Sequence, residues 1–585
     1  MNEKKYDVVV GIDFGSSGCG FAYSFMNEKD IIHGLIKGAN TENKVPNEII
    51  LDENGNILEF GANCSQYLVE KGVNIGHYFK GIKMLLYDKK TIIKANNTGK
   101  TFSLSIVIQK ILEKIKTLSE DILKNLGQKL DTLNIKWVVT IPAIWGEFQK
   151  GIMMEACLNS GLIKENDDKS LFFALEPEAA SLYCSRDKNI NPEYLNQGKY
   201  YIICDLGGGT GDIVFHLVGN NKNLEEISVP CGGNYGSNEI HKYLFEDLVN
   251  KIFGFKDFES LYMRLQELNI KEKKETIFDE WCELERKIKQ FKESVNFGKV
   301  NENVKFPINF NIFQECFKNE NENFEYLINK YNNKYNSNSE LKLEIVSNKK
   351  WLVDCPYKII YNYIEKQAKL IAEQINNNLK ISNKDIDTII FVGGYSSNEI
   401  LISSIKKYLD KKIIHHLQPS TPYLAIMNGA VLFGINPYII NSRIAKYTIG
   451  QKVRNIWDEK IHSKFSKSNK VYDKNEKVYR CINCFDKFIE VGQKIKYEQE
   501  ITKSYSMVGE RYCNLIFYKT LSSNPILITE EGVEEIGICK LDAGQNYPFG
   551  ERDITVTLKF GGTFIDVKGK HVKSGKEVKA NFKFN

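Results

Sequence analysis

One short pattern occurs twice in this chain, in two segments that lie far apart in the sequence. In each copy an apolar run ends at an aspartate, a glycine-rich bend follows, and a second apolar run begins. The first copy covers residues 8–23 and reads VVVGIDFGSSGCGFAY, with Asp13 before the bend. The second covers residues 201–215 and reads YIICDLGGGTGDIVF, with Asp205 in the same place. The pattern predicts two β-hairpins whose bends carry almost no side chains.

Bends of this kind have the chemistry of an anion clamp. Because glycine lacks a side chain, the backbone N–H groups of the bend can close on an anion. The carboxylate before each bend is placed to hold a hydrated magnesium ion beside that anion. Two clamps that face each other would bind the phosphates of a nucleotide. The alternative is that each glycine run is an ordinary loop and each aspartate caps a turn, but the duplication favours nucleotide binding.

The elements predicted around the bends alternate between strands and helices. Apolar positions repeat at helical spacing over residues 103–126, and residues 137–142 read as a buried strand ended by a proline. Further predicted elements are strands near 20–25, 31–36, 171–175 and 387–392, helices near 153–160, 176–180, 400–408 and 429–434, a turn at 231–236 and a long charged helical region at 237–295. This order is typical of a duplicated α/β fold. We therefore expect a two-lobed domain over 1–440, with lobes at about 1–200 and 201–440.

Beyond about residue 440 the helical periodicity disappears. Apolar and polar residues alternate over 554–560, and the alternation returns at 578–584. Turns are marked by glycine pairs or Ser-Gly steps at 561–562 and 574–575. A smaller all-β domain over 441–585 is expected, of a size that folds as a sandwich.

Composition and charge exclude several classes of function. The 585 residues are 42% hydrophobic and 26% charged, which is typical of a chain that buries large cores. The net charge of +5 is small for this length and its basic residues are interspersed with acidic ones, so we expect no nucleic-acid partner. The apolar run that follows residues 1–7 is cut short by Asp13 and is too brief for a signal peptide, and no stretch approaches the roughly 18 apolar residues of a membrane span. A cytoplasmic location and no membrane span are therefore expected.

The 13 cysteines are scattered through apolar segments, as is typical of reduced core thiols in a cytosolic protein. Cys481 and Cys484 have C-x-x-C spacing and could bind a metal together with Cys513 or Cys539. No second C-x-x-C and no nearby histidine pair completes a zinc set, so buried thiols are the favoured interpretation.

The bends and several further motifs resemble one protein superfamily. Residues 13–17, 205–212 and 392–394 are similar to the first phosphate, second phosphate and adenosine motifs of the actin, sugar-kinase and 70-kDa heat-shock-protein superfamily. The segments TIPA at 140–143 and Glu-Pro at 176–177 narrow the resemblance to the heat-shock branch. Segments similar to a divergent subgroup of that family occur at 78–84, 232–237, 429–434, 484–489 and 503–505, so the resemblance covers nearly the whole chain.

The resemblance implies an actin-like, ribonuclease H-like ATPase fold that binds ATP or ADP with Mg²⁺. It assigns metal binding through water to Asp13 and Asp205, with the catalytic residues being Lys83, Glu176, Asp205 and Thr210. Lys83 would orient the attacking water, Glu176 would position metal-bound water or accept a proton, and Lys80 is the alternative to Lys83. The implied nucleotide-binding residues are Asp13, Gly15, Ser16, Ser17, Gly18, Gly207, Gly208, Gly209, Thr210, Gly232, Gly233, Glu285, Lys289, Gly393, Gly394 and Tyr395.

Three functions remain open at this point. The resemblance favours an ATP-binding, slowly hydrolysing chaperone-like protein or nucleotide-gated switch, with an unfolded polypeptide or a client protein as its partner. The alternatives are a small-molecule kinase of the sugar-kinase type and a nucleotide-dependent scaffold that does not hydrolyse ATP. The junction at 436–443, NPYIINSR, lacks the family's acidic–leucine linker, and the all-β domain is expected without the family's helical lid. Tight peptide clamping is therefore not implied.

Overall fold

The computed structural model describes residues 5–28, 30–36, 42–163, 170–251, 254–267, 274–308, 333, 342–347, 350–474, 476–562 and 565–581. These residues form a mixed α/β structure with many strands, which confirms the predicted class at that level. Within this part of the chain, no helix combines the length and the apolar character needed to cross a membrane.

The first bend lies in a six-stranded sheet. The strand Val8–Phe14 runs into the bend and is buried along its whole length, and Gly18–Phe25 leaves the bend antiparallel to it. Ile135–Ile141 lies parallel to Val8–Phe14 on its other side. The remaining strands of this sheet are Leu171–Leu175, Ile32–His33 and Val45–Pro46. A strand that enters the bend at the centre of a sheet is held by neighbours on both sides, so Asp13 at its end has a fixed position.

The second bend repeats this arrangement in an eight-stranded sheet. Tyr200–Leu206 runs into the bend, Gly211–Val218 leaves it antiparallel, and Thr388–Val392 lies parallel to Tyr200–Leu206 on the other side. The remaining strands are His415–Leu417, Leu224–Glu226, Cys231–Gly233, Ile440–Ile444 and Lys494–Lys496. Both bends therefore join the same trio: a parallel neighbour, the strand that enters and the antiparallel strand that leaves.

The helices have the following bounds: Cys64–Lys71, Ile82–Tyr87, Leu104–Asn125, Glu147–Asn159, Glu176–Cys184, Ser237–Phe245, Phe258–Glu267, Lys274–Glu293, Tyr357–Ser382, Glu399–Tyr408, Ala425–Ile435 and Glu459–His462. Ala425–Ile435 packs on Glu176–Cys184 and on the strand Val8–Phe14. A Cβ atom at Gly429 would lie 1.7 Å from the Ala179 carbonyl oxygen, so a glycine is what allows this close approach.

Three smaller, separate sheets are also present among the described residues. Their strands are Ile57–Phe60, Ile49–Leu51 and His77–Phe79; Asn303–Ile308, Lys350–Pro356 and Lys342–Ser347; and the pair Ile92–Lys94 and Thr101–Ser103.

Two antiparallel sheets occupy most of the chain from residue 448 onward. One contains Lys470–Asp473, Val478–Ile489, Thr448–Ile456, Tyr512–Thr520 and Glu534–Asp542, and the other contains Gln499–Ser506, Asp553–Phe560, Asp566–His571 and Glu577–Asn581. Buried side chains from both sheets, among them Phe517 and Val556, share one apolar core. The alternation predicted over 554–560 matches the observed burial, whereas Phe582 and Phe584 lie outside the described residues.

Some predicted elements differ from the observed ones. The strand predicted at 31–36 is only Ile32–His33. The Gly34 N–H still donates to the Phe21 carbonyl oxygen at 2.9 Å, and Gly34 packs directly against the ring of Phe21. The turn predicted at 231–236 begins with the strand Cys231–Gly233, which pairs with Gly211–Val218. The charged region at 237–295 is not one helix: it includes Ser237–Phe245, Phe258–Glu267 and Lys274–Glu293, with the left-handed Gly254 (φ +80°) between the first two.

Candidate functional site

The two bends meet tip to tip. A Cβ atom built on Gly208 would lie 1.8 Å from the Ser17 Oγ, and one built on Gly209 would lie 2.5 Å from the Ser16 Oγ. A side chain at either glycine therefore requires the bends to separate. The glycines are needed because the bends approach one another: a Cβ at Gly208 would be closest to Ser17 of the other bend, and one at Gly209 would be closest to the Met84 Sδ, at 2.2 Å, and then to Ser16 of the other bend.

A cavity of about 150 Å³ opens between the bends. It brings together most of the residues that the sequence predicted as a site: Asp13, Gly15, Ser16, Ser17, Gly18, Lys83, Glu176, Asp205, Gly207, Gly208, Gly209, Thr210, Gly393 and Gly394. The lining also includes Lys44, Tyr423 and Ile426, which the sequence did not single out.

Asp13 is surrounded by partners. Lys44 forms an ion pair with its carboxylate and also donates to the Tyr423 carbonyl oxygen at 2.6 Å. The hydroxyl of Thr140, at the end of the parallel neighbour strand, donates to the Asp13 Oδ1 at 3.4 Å. Asn47 holds the bend itself, because its side-chain amide donates to the Gly15 carbonyl oxygen at 2.8 Å. In the first bend, the aspartate is thus already paired with a lysine of the same chain.

Asp205 has a different environment. It is buried, and its Oδ1 has no hydrogen-bond partner among the described residues. Burial raises the pKa of Asp205 well above its ordinary value, and the nearby carboxylates of Glu176 and Asp212 raise it further. Gly393 closes this side of the site: its backbone is left-handed (φ +84°), and a Cβ there would lie 2.5 Å from the Asp205 Oδ1. Only a glycine fits beside this carboxylate.

Lys83 and Glu176 form a buried ion pair beside the two aspartates. Lys83 lies on the helix Ile82–Tyr87, and Glu176 is the first residue of Glu176–Cys184. Burial alone would lower the pKa of Lys83, but the carboxylate of Glu176 and then that of Asp13 raise it above its ordinary value. Burial raises the pKa of Glu176 to about 7, even though Lys83 opposes the shift. The pair therefore places a fixed positive charge beside a carboxyl group that can exchange a proton near neutral pH.

A second, larger cavity of about 760 Å³ continues from the first beyond Gly394, which lines both. Tyr395 lines the larger cavity, as do Ser237, Lys292 and Asn296. Burial lowers the pKa of Lys292. A cavity of this size fits a nucleoside-sized ligand.

Four predicted nucleotide-binding residues lie outside both cavities. Gly232 and Gly233 lie on a strand whose partner is Gly211–Val218, behind the second bend. Glu285 pairs with Lys80, Nζ to Oε2 at 2.5 Å, in a separate cavity of about 490 Å³. Lys289 lines none of the three, whereas Lys292, one turn further along the same helix, lines the larger cavity.

Lys44 and Lys292 are two lysines of the site that sequence reasoning missed. Lys292 lies three residues after the predicted Lys289 on the same helix, so helical spacing in the sequence could have identified it. Lys44 precedes the short strand Val45–Pro46, which pairs with the strand leaving the first bend. Nothing in its local sequence indicates that this pairing carries it to Asp13.

The site is connected to the strands beyond residue 440. Glu178, two residues after Glu176, is buried and accepts two hydrogen bonds from Arg443, Nε to Oε1 at 2.6 Å and Nη2 to Oε2 at 2.7 Å. The same guanidinium donates from Nη1 to the Gly561 carbonyl oxygen at 3.0 Å. Glu176 and Glu178 share the first turn of the helix Glu176–Cys184, so a displacement of Glu176 would also move the contacts that Glu178 makes with Arg443 and, through Arg443, with Gly561.

Comparison with known proteins gives the class to which this fold and site belong. No family model matches the chain. At the level of single sequences, the mouse (Mus musculus) heat shock 70 kDa protein 12A is 25% identical over 661 residues, covering 100% of this chain and 92% of the relative. The human (Homo sapiens) heat shock 70 kDa protein 12B is 24% identical over 663 residues with the same coverage. The chaperone protein DnaK of Mycoplasmopsis synoviae is 29% identical over 250 residues, 42% of this chain.

The full-length similarity supports the assignment of this chain as a divergent member of the 70-kDa heat-shock-protein family. Its full-length similarity is to heat shock 70 kDa proteins 12A and 12B, and the shorter match to DnaK covers less than half of the chain. Relatives of this family imply an actin-like ATPase fold, and the described residues form a mixed α/β structure with many strands.

Proposed function

We propose that this protein is a Mg²⁺-dependent, slowly hydrolysing ATPase that acts as a chaperone-like, nucleotide-gated switch. The observation that carries the proposal is the contact between the two glycine bends, with Asp13 and Asp205 lining one cavity between them. Two N–H-rich bends can hold opposite sides of a chain of phosphates. The relatives' names, heat shock protein and chaperone protein, support the chaperone part of the proposal.

The residues present fit a divalent cation. The carboxyl groups of Asp205, Glu176 and Asp212 are buried. After burial itself, Glu176 and Asp212 raise the pKa of Asp205, Asp212 also raises that of Glu176, and one oxygen of Asp205 has no partner among the described residues. Excess buried negative charge of this kind is relieved by a cation. Asp13 and Asp205 would hold Mg²⁺ through its water ligands, because magnesium gives up its hydration shell reluctantly. When bound, the ion would neutralise phosphate charge.

The phosphates are held by the bends. Residues 15–18 line the cavity from one bend and residues 207–210 line it from the other. Backbone N–H groups and hydroxyls of these residues would contact the phosphates, the Ser17 hydroxyl leaving its present acceptor, Asn238 Oδ1 at 3.1 Å. Lys83 faces the cavity from a third side and offsets negative charge on the terminal phosphate. Glu176, whose pKa is raised by burial to about 7, accepts a proton from the attacking water. The nucleoside occupies the larger cavity beyond Gly394, between Tyr395 and Lys292.

The gating part of the proposal rests on the ion pair between Glu178 and Arg443. Binding at Glu176 shifts the start of the helix Glu176–Cys184, and Arg443 carries that shift to the strands that follow residue 440. A switch of this kind needs a contact whose strength differs between the nucleotide-bound and nucleotide-free states. The affinity of the strands beyond residue 440 for an unfolded polypeptide would then depend on nucleotide.

Calorimetry of the full chain tests nucleotide binding. ATP and ADP are titrated with and without Mg²⁺ into the parent protein and into Asp13→Asn and Asp205→Asn. We expect each substitution to weaken Mg²⁺-dependent ATP binding by about 10–100-fold, in the range seen when a metal site loses a supporting group. Asp131→Asn changes an exposed aspartate on a loop outside the site and is the matched control. Unchanged affinity in both site variants would refute the proposed site.

Phosphate release separates a hydrolysing protein from a scaffold. The parent chain is expected to release phosphate slowly with ATP, and Lys83→Ala to abolish the release while the nucleotide still binds. Binding without any release in the parent would leave a non-hydrolysing scaffold. Transfer of labelled phosphate to a sugar would instead identify a small-molecule kinase.

A further inference from the structure

Two cysteines that a regular strand would separate lie together in this protein. Cys481 and Cys484 are three residues apart on the strand Val478–Ile489, and residues at that spacing on a regular strand point to opposite faces. Here Asn483 has a left-handed backbone (φ +67°), and the pairing with Thr448–Ile456 shifts register between Val453 and Asn455. Both cysteine side chains consequently enter one apolar cluster with Leu527.

A histidine from another segment joins them. His462 ends the short helix Glu459–His462 and is buried. One ligand atom from each of His462, Cys481 and Cys484 lies within 4.8 Å of the other two. Among the described residues, no other group of three or more potential metal ligands meets this distance.

We propose that His462, Cys481 and Cys484 form a zinc site. Two thiolates and an imidazole are the donor set that zinc prefers in proteins. Around a tetrahedral zinc ion such donors are about 3.5–3.8 Å apart, so the three side chains need to contract by at most about 1 Å. The fourth position is left to water or to a ligand from outside, because no fourth cysteine, histidine or carboxylate belongs to the group in the described part of the chain.

The contacts that zinc replaces are weak ones. The thiol of Cys481 donates to the Ile482 carbonyl oxygen at 3.5 Å, and the thiol of Cys484 donates to the Cys481 carbonyl oxygen at 3.4 Å. The Nδ1 of His462 accepts the backbone N–H of Asp458 at 2.8 Å. Binding forms two S–Zn bonds and one N–Zn bond, and the two thiol protons are released to solvent. Whichever ring nitrogen binds, the hydrogen bond from Asp458 is lost, because that bond uses the Nδ1 lone pair of a neutral ring.

The other two cysteines considered with this pair provide an internal control. Cys539 belongs to the core between the two C-terminal sheets, and Cys513 packs against that same core. Neither is part of the cluster around His462. A thiol at Cys513 therefore shares the domain and the redox conditions of the proposed site but not its geometry.

The test uses the full chain, reduced and freed of metal with a chelator, and titrated with Co²⁺ and then Zn²⁺. We expect one equivalent of Co²⁺ to give a thiolate-to-cobalt charge-transfer band, and Zn²⁺ to displace it. Cys481→Ser and Cys484→Ser should each weaken binding at least 100-fold, His462→Gln about 10–100-fold, and Cys513→Ser not at all. Cobalt held by Asp13 or Asp205 would have oxygen ligands and no such band.

Several results would overturn the proposal, and the first three need no variant. They are the absence of a stoichiometric thiolate band in the parent chain, retention of Cu⁺ but not Zn²⁺, and a Cys481–Cys484 disulfide in the protein purified without reductant. A loss of binding in Cys513→Ser equal to that in Cys481→Ser would also overturn it. Nucleotide binding is measured on the same samples, so failure of the zinc site and failure of the proposed ATP site are distinguishable.

Discussion

The two bends share a backbone pattern but differ in how their aspartates are balanced. Asp13 is paired with Lys44 and receives the hydroxyl of Thr140. Asp205 has an oxygen with no partner among the described residues, and burial and neighbouring carboxylates raise its pKa. The chain thus gives Asp13 a lysine partner of its own, whereas Asp205 shares the nearby Lys83 with Glu176 and keeps one oxygen without a partner among the described residues. The difference indicates that Asp205, rather than Asp13, sets the demand for a cation.

The largest expected effect comes from forcing the bends apart. Gly208→Ala places a methyl group 1.8 Å from the Ser17 Oγ and 2.7 Å from its Cβ, so the bends must separate. We expect ATP affinity to fall by about 100-fold, roughly 2.7 kcal/mol. Gly207→Ala is the matched control, because a Cβ there meets only the Thr210 carbonyl oxygen at 3.4 Å. Equal losses of affinity in the two variants, measured by calorimetry, would show that the bends do not need to touch.

Removing the two charges one at a time should change stability in opposite directions. Asp13→Asn leaves Lys44 without its partner, and the free energy of unfolding should fall by about 1–2 kcal/mol without nucleotide. Asp205→Asn removes a carboxyl that burial disfavours in its charged form, and the free energy of unfolding at pH 8 should rise by about 1 kcal/mol. Urea unfolding without Mg²⁺ measures both. A fall of equal size in both variants would mean that the two bends are electrostatically alike.

Glu176 should make the nucleotide-free protein less stable as the pH rises. Its folded-state pKa, raised by burial to about 7, exceeds the ordinary value of 4.5, so the folded protein binds the proton more tightly than the unfolded chain. The resulting stabilisation is complete below about pH 4.5 and is lost as the pH rises through about 7. Other buried groups titrate in this range, so the measured quantity is the difference between the parent and Glu176→Gln. We expect that difference to change by about 1–2 kcal/mol between pH 5 and pH 8, and a constant difference would contradict the assignment.

The sequence predicted the parts of the site that lie in one continuous pattern. Asp13, Asp205 and the glycines were identifiable because strand, aspartate and bend follow one another, and their burial and hairpin pairing agree with that pattern. The contact between the bends was stated as a condition for nucleotide binding, and the structure contains it. The glycine pair Gly232–Gly233 was predicted to bind nucleotide, but it forms part of a strand. A glycine pair alone does not distinguish a bend from a closely packed strand.

Residues that reach a site through tertiary pairing gave no local signal. Lys44 arrives beside Asp13 because a two-residue strand pairs with Gly18–Phe25, and strands that short carry no periodicity. His462 lies 19 positions before Cys481 and reaches it through tertiary packing, while a left-handed Asn483 turns Cys484 to the same side as Cys481. A single left-handed residue inside a strand is set by packing, so the C-x-x-C spacing could not reveal its third ligand.

The smallest expected effect makes the first bend resemble the second. Lys44→Met keeps the length of the side chain and removes its charge. Asp13 then lacks a directly paired lysine, as Asp205 does among the described residues. ATP affinity should fall by about 3–10-fold at low Mg²⁺, under 1.4 kcal/mol, because an ion pair that is partly exposed contributes modestly. Raising the Mg²⁺ concentration should recover much of that loss, since the added cation takes the place of the lysine charge beside Asp13. Lys44→Arg, which keeps the charge, should follow the parent across the whole Mg²⁺ range. If Lys44→Met and the parent give the same affinity at every Mg²⁺ concentration, the lysine is only a structural partner of Asp13, and the asymmetry between the bends has no consequence for the nucleotide.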